Sequence, residues 1–314
     1  MLSRTADHLY WMARYTERAE NLARMLDVHY RMSLMPNASG TMDKNWGGIL
    51  SINELDGDFD RRYDGVTQAN VVHYMAFDPE NPSSIYSCLR GARENAHAVR
   101  GTLTSELWET INSTWLKMRT TEPEVMESEP GAFFEWVKFR SHLSRGVSVG
   151  TMLHDEAFNF MRLGTYLERG DNTARLLDVK YHVLLPNTEH VGGSADYYQW
   201  GALLRSVSAF EIYRKIYRDA ITPIRVAELL VLRDDMPRSL HCCLNEVYTN
   251  LESVGNSHSK ETLRRVGDLH ASLHYGSMEN VFRGGLHEFV TDFLARINDI
   301  GSRITEDFLI PMAA

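Results

Sequence analysis

The amino-acid sequence predicts an all-α protein. Apolar residues recur at spacings of three and four along several long segments, whereas the alternation typical of β-strands is almost absent. A segment near the N-terminus recurs later in the chain, which predicts two similar helical halves. In its first copy the apolar residues form a single stripe along one helix face. That stripe consists of Tyr15, Ala19, Leu22, Leu26 and Tyr30.

Three segments of the chain recur in the same order about 150 residues later. The matching segments are residues 15–30 (YTERAENLARMLDVHY) with 166–181 (YLERGDNTARLLDVKY), Trp46-Gly47 with Trp200-Gly201, and residues 71–89 with 226–244. Their offsets are 151, 154 and 155 residues, and such small drift is hard to obtain by chance. We therefore predict two tandem, pseudo-symmetric helical repeats, residues 1–150 and 151–314, packed into one elongated, helix-bundle-like unit.

A second long helix is predicted from Ser84 to about Met118, because apolar residues keep a helical spacing through this segment. Pro82 lies just before its start, and Pro237 lies in the same place in the second copy, as is typical of helix entries. The apolar seam consists of Leu89, Ala92, Ala96, Val99, Leu103 and Leu107. Loops are predicted for residues 36–45, 122–130 and 186–196, which are polar or acidic.

Composition excludes several functional classes. The 33 basic and 42 acidic residues give a net charge of −9, which lacks the basic footprint of a nucleic-acid-binding protein. No apolar run is long enough to span a membrane, and the N-terminus lacks the pattern of a signal peptide, so a cytoplasmic protein is expected. Three cysteines fit neither a disulfide framework nor a zinc motif. Phosphate-binding loops and a serine-nucleophile motif are also missing, and no cofactor or metal is predicted.

The repeated helix keeps polar residues as well as apolar ones. On a helical projection the polar set lies opposite the apolar stripe, and acidic residues at positions 20, 27, 171 and 178 widen it. A merely solvated face should drift between two copies, so these residues are the candidate ligand-binding groups. They are Glu17, Arg18, Asn21 and Arg24 in the first copy and Glu168, Arg169, Asn172 and Arg175 in the second.

Structural and functional interpretations of this charged stripe both remain open. In the structural interpretation, residues four apart form helix-surface ion pairs, or the two helices pack face to face with Glu17 against Arg175 and Glu168 against Arg24. In the functional interpretation, the stripes line a central cleft. Its arginines would hold a carboxylate or phosphate, and its glutamates would accept an amine. Such a mixed set suits an amino acid, a peptide end or a phosphorylated intermediate.

A further charged cluster lies on the predicted second helix and in the first copy alone. Arg93, His97 and Arg100 would share one helix face, and Arg93, Glu94 and Arg100 are candidate ligand-binding residues. Glu94 and His97 form a Glu-x-x-His motif, but bundled di-iron sites need two such motifs and the chain has one.

Weaker patterns occur near the C-terminus. His270 and His274 are spaced to share a metal, yet without a zinc-protease motif a solvated helix face is the favoured interpretation. Cys243 is expected in the core because it matches Cys88 of the first copy. A Cys242 nucleophile paired with His241 has little support from the sequence.

Four segments together resemble the bacterial alpha-E family. They are MLSRTADHLYWMARYTERAENLARMLDV, ARENAHAVRGTLTSELWETIN, LGTYLERGDNTARLLDV and MPRSLHCCL, spread in order along essentially the whole chain. The resemblance implies an all-helical fold and a functional glutamate, for which Glu17 and Glu168 are the natural positions. The sequence departs from the usual family pattern at Thr165, whose counterpart in the first copy is Arg14.

Members of that family are typically encoded beside, or fused to, a circularly permuted ATP-grasp protein, often with a transglutaminase-like protein nearby. The resemblance therefore implies an accessory binding protein that holds an anionic intermediate for an amide ligase. Two alternatives remain: an enzyme in which Glu17 or Glu168 is the general base of amide transfer or hydrolysis, and a purely structural scaffold.

Overall fold

The computed structural model describes residues 1–34, 42–121, 130–182 and 194–310. Within these ranges the chain is helical and contains no β-strand, which confirms the all-α prediction. None of the helices described there combines the length and apolar character needed to cross a bilayer.

The helices follow one another with short connections. In the first half they are α1 (Ser3–Ser33), α2 (Met42–Ile52), α3 (Asp56–Phe59), α4 (Gln68–Ala76), α5 (Ile85–Ala98), α6 (Ser105–Arg119) and α7 (Pro130–Thr151). In the second half they are α8 (Glu156–His182), α9 (Ser194–Ser206), α10 (Phe210–Tyr217), α11 (Pro223–Val231), α12 (Leu240–Val254), α13 (Lys260–His274), α14 (Met278–Gly284) and α15 (Leu286–Ile304), then a short π-helix (Thr305–Leu309).

The three predicted loops lie mostly outside the described residues. Their described ends are helical: residues 42–45 belong to α2, residues 194–196 begin α9, and Pro130 begins α7. Proline suits such a position, because the first turn of a helix does not need its missing N–H group.

The chain divides into two compact units. The larger unit comprises Met1–Arg14 and His154–Ala314, and the smaller unit comprises Tyr15–Leu153, so that α1 contributes residues to both. The division into repeats at residues 1–150 and 151–314 stays a prediction.

In the larger unit, α8 packs against α12 and α15, and α12 packs against α13. Gly170 permits this close packing, since a Cβ atom at that position would lie 3.1 Å from Ile297 Cδ1 and 3.4 Å from Cys243 Cβ. Cys243 is buried, as expected from its match with Cys88.

In the smaller unit, α5 packs against α6 and α6 against α7. The prediction of one helix from Ser84 to Met118 is wrong, because residues 99–104 separate α5 from α6. Gly101 lowers helix propensity there, and Thr104 caps α6 by accepting a hydrogen bond from the Leu107 N–H at 3.3 Å. The predicted apolar seam is nevertheless buried on both sides of the break.

Helix α1 is buried on more than its apolar stripe. Ala19, Leu22 and Leu26 are buried as the stripe requires, but Glu17 and Asn21 on the polar side are buried as well. The polar set is therefore part of the interior and must find its partners there.

The two predicted helix entries are confirmed, and they share their detailed geometry. The hydroxyl of Ser84 accepts a hydrogen bond from the Ser87 N–H at 3.1 Å and donates one to the Asp78 carbonyl. Ser239 likewise accepts from the Cys242 N–H at 2.9 Å and donates to the Arg233 carbonyl. Each serine thus caps a helix and anchors the preceding turn.

Candidate functional site

In the smaller unit the charged stripe of α1 meets α7. Glu17 and Glu20 are only 1% and 0% exposed. Arg145 of α7 donates a hydrogen bond to Glu17 Oε2 at 2.8 Å and also contacts Glu20 Oε2. Ser141, one turn earlier on α7, donates to the same Glu20 oxygen at 2.7 Å. Two buried carboxylates are thus compensated by donors from a helix that lies far away in sequence.

The pairing continues along the same two helices. Arg24 Nε donates to Glu20 Oε1 at 2.8 Å, which confirms the predicted spacing of four but places the pair in the interior. Asp27, two turns on from Glu20, accepts from Arg31 of α1 and from Lys138 of α7, each at 2.8 Å. We call this set, from Glu17 to Asp27 with its α7 partners, the ionic ladder.

Little space accompanies the ionic ladder. The cavity lined by Ala19 and Ser141 has a volume of about 20 Å³, which is enough for one water molecule. Fully partnered carboxylates without a ligand-sized cavity favour the structural interpretation for this copy of the stripe.

In the larger unit the second copy has a different environment. Glu168 accepts a hydrogen bond from Arg14 Nε at 2.8 Å, and Arg14 also donates to the Tyr10 hydroxyl at 3.2 Å. The Arg14 guanidinium lies 4.9 Å from the centre of the Trp11 ring. Arg14 is thereby held by an anion and by an aromatic face.

Asp171 is the unusual acid of this copy. Its Oδ2 accepts from Arg175 Nε at 2.8 Å, whereas its buried Oδ1 has no hydrogen-bond partner. Burial raises the pKa of the Asp171 carboxyl above its usual value, although the charge of Arg175 acts in the opposite direction. A buried carboxyl oxygen without a partner is rare and asks for an explanation.

A pocket of about 240 Å³ lies in the larger unit beside these groups. This volume is below the range of about 300–1,000 Å³ typical of drug-sized ligands, so the pocket suits a smaller molecule. Its polar lining consists of Arg14, Asp171, Asn298, Ser302 and Thr305, and its apolar lining includes Trp11, Leu167 and Ile297. We call it the Arg14/Asp171 pocket.

The two Glu-Arg dipeptides share one local arrangement. The Arg18 guanidinium lies 6.0 Å from the centre of the Tyr15 ring, and that of Arg169 lies 4.8 Å from the Tyr166 ring. Arg169 is buried and also donates to the Pro237 carbonyl at 3.4 Å. In each dipeptide the glutamate has an arginine partner from elsewhere in the chain, and the arginine covers a tyrosine three residues earlier.

The remaining candidates are dispersed. Asn172 is half-buried on α8, next to Asp171. Glu94 and Arg100 are exposed, and Arg93 donates to Asn112 at 3.2 Å beside the Trp108 ring. Arg100 does not share a helix face with Arg93, as was expected, because α5 ends at Ala98.

The sequence did not reveal the decisive partners. Arg145 pairs with Glu17 across 128 residues, and no local pattern marks such a distant contact. Arg14 had one signal, since Thr165 replaces it in the second copy. The sequence also missed that His241 joins His270 and His274 in the larger unit. Burial raises the pKa of the neighbouring Cys242 thiol, which disfavours a thiolate nucleophile.

Comparison with known proteins adds the family. The alpha-E family, described as a predicted alpha-helical domain with a conserved ER motif, matches residues 1–309. The only two Glu-Arg dipeptides of the chain are Glu17-Arg18 and Glu168-Arg169, the pairs described above.

Relatives are found in mycobacteria. Uncharacterised proteins of Mycobacterium bovis and of two Mycobacterium tuberculosis strains are 25% identical to this chain over 321 residues. The matched region covers 94% of this chain but only 35% of those proteins, so the chain spans about a third of their length. No solved structure matches it. The match over residues 1–309 shows that the chain belongs to the alpha-E family.

Proposed function

We propose that this chain is a binding protein that holds a free amino acid, or the end of a peptide, in the Arg14/Asp171 pocket. One observation carries the proposal: a small pocket is lined both by an arginine and by a carboxyl whose buried Oδ1 has no partner.

The charges of the pocket complement those of an amino acid. Arg14 is the group for the ligand carboxylate, since guanidinium pairs well with carboxylates. Asp171 is the group for the ammonium, because Oδ1 keeps an acceptor site after Oδ2 has bound Arg175. Ser302 and Thr305 add neutral donors and acceptors, and Leu167 and Ile297 give an apolar wall. A bound ammonium would also favour the ionised form of Asp171, which burial opposes.

The two copies of the stripe divide the work in this proposal. In the smaller unit the ionic ladder fixes the register of α1 against α7, and in the larger unit the corresponding residues border a ligand pocket. Helices that start 155 residues apart support the duplication: α5 and α12 have equivalent serine caps, and α6 and α13 are both 15 residues long.

The resemblance to the alpha-E family suggests where such a ligand would go. ATP-grasp ligases activate a carboxylate as an acyl phosphate before forming an amide bond, and a transglutaminase-like protein acts on amides. A chain that retains an amino acid or peptide end would deliver it to, or receive it from, such partners. In this role the chain has no turnover of its own.

The general-base alternative has less support from the geometry. Glu17 and Glu168 each accept a hydrogen bond from an arginine at 2.8 Å, so each would have to leave that pair before taking a proton from a substrate. A scaffold without a ligand leaves Asp171 Oδ1 unexplained.

Thermal-shift measurements with a panel of amino acids and dipeptides test the proposal. A ligand should raise the melting temperature of the wild-type protein, but not that of the Asp171→Asn or Arg14→Met variant. Asp178→Asn is the matched control, because Asp178 lies on the same helix but does not line the pocket. Absence of a shift with every member of the panel, or equal shifts in wild type and Asp171→Asn, would overturn the proposal.

A further inference from the structure

Three histidines of the larger unit form a cluster unrelated to the Arg14/Asp171 pocket. His241 lies in the first turn of α12, and His270 and His274 lie in the last two turns of α13. One ring nitrogen from each lies within 4.8 Å of the other two. Within the described residues this is the one group of three or more histidine, cysteine or acidic side chains found at metal-ligand spacing.

The hydrogen bonds of His241 prepare it as a ligand. Its Nδ1 lies 2.8 Å from the Leu232 carbonyl oxygen. A carbonyl only accepts, so Nδ1 carries the proton and Nε2 keeps its lone pair. Metal-bound histidines typically donate their other N–H to a carbonyl or carboxylate in this way, which fixes both tautomer and orientation. His241 is also buried, so its ring has little freedom to turn.

His270 supplies an unsatisfied atom. Its Nε2 is buried and has no hydrogen-bond partner, a state that an absent ion or water molecule would explain. The Tyr248 ring stacks on the imidazole, with centres 5.2 Å apart and planes 11° from parallel. Burial and the neighbouring histidines lower the pKa of His270, which keeps the ring neutral and able to bind a metal.

Packing alone does not require histidines at these positions. At an offset of 155 residues, α5 carries Tyr86 where α12 has His241, and α6 carries Trp115 where α13 has His270. Those two rings meet edge to face with centres 5.1 Å apart. An aromatic pair therefore fills the same place in the other half, and the histidines bring ligand atoms to a place that apolar rings can fill.

We propose that His241, His270 and His274 bind one divalent late transition-metal ion of the zinc class. Imidazole nitrogen is a preferred ligand of Zn²⁺, Ni²⁺, Co²⁺ and Cu²⁺. Three protein ligands leave a fourth position for water or another molecule, as in zinc sites that are not purely structural. His274 is exposed, so an ion can reach the cluster from solvent.

Only a small movement closes the site. Nitrogens 4.8 Å apart would surround a central ion at about 2.8 Å each, whereas zinc–imidazole bonds are about 2.0–2.1 Å. Each nitrogen must therefore move by less than about 1 Å. Side-chain rotation of the exposed His274 provides most of this adjustment.

Titration of the tag-free, chelator-treated full chain with Zn²⁺, followed by calorimetry, tests the site. One ion should bind per chain, and Co²⁺ should give the visible absorption of a four- or five-coordinate site. His274→Ala should weaken Zn²⁺ binding by more than about 100-fold, because a direct ligand counts for more than second-shell partners, which are worth about 10–100-fold. His270→Phe keeps a ring against Tyr248 and should also abolish binding.

His258→Ala is the matched control, because His258 is an exposed histidine of the same unit outside the cluster. It should bind Zn²⁺ like the wild type. Failure of the wild type to bind Zn²⁺ or Co²⁺, or equal affinities of wild type and His274→Ala, would overturn the proposal. Because His274 is exposed, its replacement leaves the fold intact, and the result is interpretable even if His270→Phe does not fold.

Discussion

Gly164→Ala tests how closely α1 and α8 pack in the larger unit. A Cβ atom at Gly164 would lie 2.3 Å from the Tyr10 carbonyl oxygen and 3.3 Å from Arg14 Cγ. The first contact is with backbone, which cannot rotate away as a side chain can. The backbones must therefore separate by about 1 Å, which carries the overpacking cost of about 1–3 kcal/mol or more.

The sign of the effect makes this substitution informative. In an exposed helix interior, glycine to alanine stabilises by about 1 kcal/mol. At position 164 the steric cost should exceed that gain, so the variant should lose about 1–2 kcal/mol of unfolding free energy. Because Gly164 lies one turn before Glu168, the same displacement should loosen the Arg14–Glu168 pair.

Urea denaturation followed by circular dichroism measures the effect. Gly146→Ala is the matched control, because Gly146 lies in α7, is exposed, and has open space around its missing Cβ. That control should unfold at a higher urea concentration than wild type, and Gly164→Ala at a lower one. An unchanged or increased midpoint for Gly164→Ala would refute the close packing of α1 and α8.

Three other substitutions follow from the contacts described. Arg145→Met should destabilise by about 3–5 kcal/mol, because it leaves two buried glutamates short of a cation; an Arg145→Met midpoint equal to that of wild type would contradict the ionic ladder. Ser239→Ala removes the cap of α12 and should cost about 0.5–2 kcal/mol in the same assay. Arg264 and Arg265 lower the pKa of Glu261 to about 2, so its ionised form stabilises the fold above pH 4.5 and this contribution is lost as the pH falls towards 2. The difference in melting temperature between wild type and Glu261→Gln should therefore shrink over that interval, and a constant difference would contradict the assignment.

Local patterns carried most of the fold from the sequence. The apolar stripe of α1, the seam of α5 and α6, and the serine caps after Pro82 and Pro237 depend on residues a few positions apart, and the structure contains them. The missed break after α5 had local signals, Gly101 and Thr104. The apolar seam outweighed them because its spacing continues across the break.

The candidate site depended on contacts that no local pattern encodes. The repeated polar residues marked the right helices, but Glu17 and Glu168 acquire their partners, Arg145 and Arg14, across 128 and 154 residues. The unpartnered oxygen of Asp171 follows from burial, which a helical projection of one helix does not give. For this reason the repeat pointed to both copies equally, although a ligand-sized pocket accompanies only the second among the described residues.

A thermodynamic cycle on Asp171 tests the binding proposal most directly. Calorimetry would measure the affinity of wild type and of Asp171→Asn for one amino acid and for its N-acetyl derivative, which lacks the ammonium. Because a hydrogen bond to a charged group is worth about 1.5–3 kcal/mol, acetylation should weaken binding to wild type by about 10- to 100-fold. In Asp171→Asn the same acetylation should have little effect, since the partner is already gone. Equal losses in the two proteins would contradict an ammonium site at Asp171.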